Sequence, residues 1–317
     1  MRTLTSQART RLSRPRRRVA QEELPLCIVY GNCQAEAIRT LLDRSPAFRM
    51  RFRTLRIPGV HKITTDTVDL VRMAVSSASL IVSHPVRDGY HGYPVGSEEI
   101  LTYASPECRR VTVPALYYDG LFPFQVYVRD DQGKTPEAPL SIYHDLRFLY
   151  CAGQGWEIET ARTWLRAFVP SAHGIEQVAA EGKAGLLDHE AGLDVQVAER
   201  LTEPTQLGEM FFTVNHPTNA AMAEVVAAVH AQLAIPYVPV DEDGELLGTL
   251  RTPLEASTIE ALRLSARPRT QWTIDGTPLA LEDLLVLHLP WYEGRQALVQ
   301  AGLAQHEHRL RSLGLTA

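Results

Sequence analysis

The sequence predicts an α/β fold: a mostly parallel sheet flanked by helices, in the manner of a three-layer sandwich, with a helical C-terminal extension. Short apolar runs rich in β-branched residues recur at 26–30, 52–57, 79–85 and 109–116. Helix-patterned segments stand between them, and that alternation is the signature of parallel strands joined by crossovers. Several of these runs also end in polar residues, and ligand sites in such sheets form at the C-terminal strand ends.

The elements follow in order. "LCIVY" (26–30) reads as a buried strand, because a short β-branched run has no polar face to offer water. "AEAIRTLLDRS" (35–45) reads as a helix with Ala37, Ile38, Leu41 and Leu42 on one side. "FRTLRI" (52–57) alternates and predicts a second strand. "TDTVDLVRMAVSSA" (65–78) predicts a helix whose apolar candidates are Val68, Val71, Met73 and Val75. "SLIVSHP" (79–85) and "RRVTVPAL" (109–116) complete the strand series. The polar stretch 129–139 is a loop, and 140–203 is largely helical. "EMFFTVNHPTNAAMAEVVAAVHAQL" (209–233) repeats the opening pattern of strand, polar turn and helix, with Thr218 or Asn219 as its cap. Three units result: a basic arm over 1–23, an α/β core over 24–250, and a mainly helical extension over 251–317. The extension holds a helix over 254–264, a hairpin-like "WTIDGTPL" and a helix over 294–313.

The chain of 317 residues carries 45% hydrophobic and 22% charged residues, ordinary for a globular protein. No apolar run reaches the length of a membrane span, and no secretory leader is visible, so a cytoplasmic location is expected. The four cysteines form no C-x-x-C pair, which argues against a metal or redox motif and fits a reducing compartment. The net charge of −5 is uneven: seven arginines and no acid lie in residues 1–18, and removing their +7 leaves −12. An acidic body does not suit nucleic acid. The basic arm suits peripheral contact with an anionic inner membrane, or serves only as a solubilising leader.

Cys33 is the first candidate for chemistry. It stands in Gly31-Asn32-Cys33-Gln34, where a strand turns into a helix. Backbone N–H groups and the helix dipole at such a turn favour a thiolate, so a lowered thiol pKa is expected, as is a hole for an oxyanion. A buried structural cysteine is the plainer reading. His216, in "TVNHPTN", is placed to act as a general base at the same sheet edge, with Asn215 and Asn219 organising the turn or donating to substrate. Ser83, His84, Arg87, Tyr90 and His91 crowd the loop after another strand and suit substrate or cofactor contact. Asp119, in "PALYYDGLFP", either orients a histidine or caps the turn with Gly120. No Gly-x-Gly-x-x-Gly or Walker sequence occurs.

"YGNCQ", "SHPVRDGYHG" and "FFTVNHPTN" together resemble the WcbI family of polysaccharide-biosynthesis enzymes, over about Leu26 to Ile235. The resemblance implies an SGNH-hydrolase-like fold, coenzyme A binding, and acetyl transfer from acetyl-CoA to a sugar hydroxyl of a capsule or glycolipid precursor, with glycosyltransferases of the same pathway as partners and no metal. It carries Cys33 onto the nucleophile position and His216 onto the late histidine. The SGNH acid three residues before that histidine is here Thr213, so the resemblance implies a Cys–His pair rather than a triad. Cys33 then either forms an acyl thioester or shapes the oxyanion hole. A thiol esterase, or a module that only binds CoA or glycan, are the alternatives.

Overall fold

A computed structural model describes residues 24–239 and 244–316; the basic arm lies outside the described residues. Strand β1 (Leu26–Tyr30) leads into helix α1 (Cys33–Arg44), then β2 (Arg53–Leu55), α2 (Thr65–Ser76), β3 (Leu80–Ser83) and β4 (Arg109–Thr112). These four strands form one parallel sheet in the order β2-β1-β3-β4.

Side-chain alternation along β1 builds the two outer layers. Cys27 and Val29 point into a core shared with Ile38 and Leu42 of α1 and with Val225 and Val229 of α3 (Asn219–Gln232). Leu26, Ile28 and Tyr30 point the other way, onto Val68, Val71 and Val75 of α2. The helix period corrects one expectation: Met73 is 65% exposed, and Ala74 takes its place on the buried face.

Strand order decides where a site can form. From β1 the chain moves to β2 on one side, and β3 then returns to the other side of β1. The crossovers leave on opposite faces, so a crevice opens beyond the C-terminal ends of β1 and β3. Gly31 and His84 are the residues immediately after those strands.

The run around Phe211 is not a further strand of this sheet. Phe211–Thr213 folds back antiparallel on His216–Pro217 as a two-stranded hairpin, so the repeated sequence pattern gives a different structure. Thr218, not Asn219, caps α3, its hydroxyl accepting from Ala221 N–H at 3.4 Å.

Beyond the sheet, Leu285, Tyr292 and Val299 share a third core with Phe124, Phe148 and Leu149. The hairpin predicted near 272–279 forms from Trp272–Ile274 and Thr277–Leu279. Chain ends and middle are also tied by charge. Arg147, 6% exposed, pairs with Asp145 at 2.7 Å and with Glu255 at 2.8 Å, and lies 4.1 Å over the Phe124 ring.

Candidate active site at the sheet switch point

Three strand ends meet at Gly31. The His84 N–H donates to the Tyr30 carbonyl at 2.9 Å, and the Val60 N–H donates to the Gly31 carbonyl at 2.8 Å. The His84 ring lies so close to Gly31 that a Cβ there would sit 2.3 Å from Nδ1. Close approach demands glycine there, and so does the backbone, whose φ of +157° residues with a side chain rarely adopt. His84 is 1% exposed and neither ring nitrogen has a hydrogen-bond partner, so burial drives its pKa down to about 4. It is therefore a neutral wedge under the turn, not a group reaching for solvent.

Asn32 caps α1: its side-chain oxygen accepts from Gln34 N–H at 2.9 Å. Cys33 becomes the first helical residue, with an unpaired thiol that is partly exposed. The backbone N–H groups of Cys33 and Gln34 pull its pKa down, as does Lys62, but burial outweighs them and the thiol is raised above the usual value. The expected activation by the helix terminus is present and is overridden by desolvation.

Gln34, 1% exposed, joins three segments. Its amide NH₂ donates to the Leu116 carbonyl at 2.7 Å and to the Asn215 carbonyl at 2.9 Å, and its oxygen accepts from Leu116 N–H at 2.8 Å. The residue after Cys33 therefore holds the residue before His216, and both candidates belong to one edge of the fold. No hydrogen bond joins Cys33 to His216 among the described residues. The His216 imidazole is kept neutral by burial, and its Nδ1 has no partner. Thr213, in the place of an acid, accepts from the His216 backbone N–H at 3.1 Å rather than from its ring. Asp119 is engaged elsewhere, pairing with Arg309 at 2.8 Å.

Around these residues lie groups that sequence reasoning passed over. Tyr143 donates to Asn215 Oδ1 and lies 3.2 Å from Thr213 Oγ1. Tyr127 stands 5.3 Å from Tyr143, ring to ring, and both hydroxyls are near enough to Cys33 for a thiolate there to raise their pKa values. A cleft of about 420 Å³ beside Cys33 is lined by Asn32, Glu36, Arg56, His61 and Lys62, among others. His61 and Lys62 follow β2, so the strand-end rule could have found them; the apolar-to-polar change at 57–62 was the signal.

The remaining candidates divide. Ser83 is buried at 2% exposure. Arg87 lies over Tyr90 at 5.9 Å and Tyr90 packs edge-on against His91, while burial, then Lys62 and His91, lower the pKa of His61 in the cleft. Asn219 is turned away: its side chain donates to the Gly244 carbonyl at 2.9 Å and accepts from Leu246 N–H at 3.0 Å. Among the described residues no group of three or more His, Cys, Asp or Glu could hold a metal, and no helix is long and apolar enough to cross a membrane.

A parallel sheet wound on both sides, with a cysteine at its switch point and a polar cleft beside it, defines an α/β protein with a candidate site at the sheet edge. More narrowly, the chain belongs to the WcbI family of polysaccharide biosynthesis enzymes, whose model matches residues 26–237. It is also similar to a solved WcbI structure, described as a novel polysaccharide biosynthesis enzyme in native form without a disulfide bond between CoA and a cysteine. That likeness has 19% identity and a TM-score of 0.78, and covers 92% of this chain and 98% of that one. None of the curated proteins matches the chain.

Proposed function

We propose that this protein is a CoA-dependent O-acyltransferase acting on a sugar of a surface-polysaccharide or glycolipid precursor. The observation that carries the reading is that Cys33, Arg56 and Lys62 line one cleft, with the hairpin bearing His216 tied through Asn215 to the residue after Cys33, in a polysaccharide-biosynthesis family. CoA fits as the acyl carrier: Arg56 and Lys62 line the cleft beside Cys33 and suit phosphate groups. The solved relative's description also names CoA.

The acceptor hydroxyl attacks the thioester carbonyl. A carbon–oxygen bond forms, the carbon–sulfur bond breaks, and the hydroxyl proton passes to the neutral His216 imidazole and then to the departing thiolate. The Cys33 N–H faces the developing oxyanion, while that of Gln34 is engaged by the Asn32 cap. The raised thiol pKa favours direct transfer with Cys33 protonated over a resting thiolate nucleophile.

The test is incubation with labelled acetyl-CoA and extracted precursor glycans. Label should enter the glycan, and His216→Ala should cut the rate by about 10²-fold or more. CoA release without glycan label would mean an esterase. CoA binding with no turnover would mean a binding module.

A further inference from the structure

On the far side of the tyrosine cluster lies a second cleft, of about 640 Å³, which the reading above leaves unused. Tyr117 and Tyr127 stack along it, 6.1 Å apart and 29° from parallel, each half-buried. Asp119, Asp131, Arg129 and Arg309 stand around them. The C-terminal segment closes the other wall, where His306 Nε2 lies 2.8 Å from the Tyr127 carbonyl and Gln305 is bonded to the Arg129 backbone.

We propose that this cleft holds the sugar acceptor, as a pyranose stacked on the Tyr117–Tyr127 pair. Flat aromatic faces match the C–H face of a pyranose. The rim mixes acids with arginines, which suits hydroxyls, since each hydroxyl both donates and accepts. A phosphate calls for an excess of cations, and the cleft beside Cys33, with Arg56 and Lys62 against Glu36, has that excess. Tyr127 joins the two: it lines the sugar cleft, its ring stands 5.3 Å from that of Tyr143, and Tyr143 donates to Asn215, whose carbonyl is held by Gln34, the residue after Cys33. A sugar on the stack would therefore present a hydroxyl toward the acyl site. The inference rests on the acyl-transfer reading for its catalytic meaning.

An array of neutral, deoxy and acidic monosaccharides and short oligosaccharides tests it, with CoA binding followed separately by calorimetry. The wild-type protein should bind a subset of pyranosides. Tyr117→Ala and Arg129→Glu should each weaken that binding at least tenfold, with CoA affinity unchanged. Arg129 is exposed, so its variant answers even if Tyr117→Ala misfolds. Sugar binding untouched by Arg129→Glu and by a folded Tyr117→Ala, no pyranoside bound at all, or loss of CoA instead of sugar would each overturn the proposal. A wild-type protein that binds sugar here but no CoA would sink the acyl-transfer reading alone.

Discussion

At Gly31 a single methyl group decides whether the Cys33 turn can form. Alanine there would drive a Cβ into the His84 ring, which is walled in on all sides. Gly31→Ala should cost about 1–3 kcal/mol, the range for overpacking a filled core, read from the denaturation midpoint. The double variant with His84→Ala should recover part of that loss, because the clash partner is gone. Cys33 makes a second residue-scale prediction. Its raised pKa means that iodoacetamide should label it slowly at neutral pH, with a rate that climbs at higher pH than for a free thiol. Lys62→Ala should slow labelling further, since Lys62 is one of the influences lowering that pKa.

Among the elements, α1 does more than follow β1. Through Gln34 it carries both the Leu116 segment and the hairpin that bears His216. Gln34→Leu keeps the volume but strands three buried backbone groups, and should cost about 1–3 kcal/mol for each group left unsatisfied, before relaxation. Activity should fall with stability. This scale also shows what the sequence could reveal. The β1, β3 and β4 strands and helices α1 and α2 were legible because period-2 and period-3.6 burial write themselves into apolar spacing. Gln34 stood in a recognisable motif, but its role depends on Leu116 and Asn215, 82 and 181 positions away, and nothing local encodes that pairing. Phe211–Thr213 is a strand before a helix, as its pattern reads, but a fully buried apolar run reads the same whether it joins the main sheet or folds back on its own hairpin. The tyrosines 117, 127 and 143 lie in irregular segments with no period, so their gathering near Cys33 was invisible.

For the whole molecule, buried neutral histidines set the response to acid. His84, His144 and His288 are at most 5% exposed, and burial lowers each from 6.5 to about 4. The unfolded chain therefore takes up protons first as pH falls. Their stability contribution is whole above about pH 6.5 and is lost progressively toward pH 4, about 3 kcal/mol for each fully buried ring. Denaturation midpoints should be flat between pH 7 and 8 and fall steeply from 6.5 to 4; a midpoint constant over that lower window would contradict this burial. The same integration appears in the third core, where residues 284–315 pack on 124–178 and Glu255 holds Arg147. Removing Glu255 from that buried arginine should cost less than removing Asp145, which grips it with two bonds.

In the proposed function the cleft beside Cys33 receives the phosphates of a CoA thioester. Calorimetric titration of acetyl-CoA into wild type and into the Arg56→Glu, Lys62→Glu double variant tests it most directly, because both side chains are exposed and their reversal leaves the core intact. Wild type should bind saturably and the variant at least tenfold more weakly, with the gap narrowing as salt is raised. Equal affinity in the two proteins would contradict it.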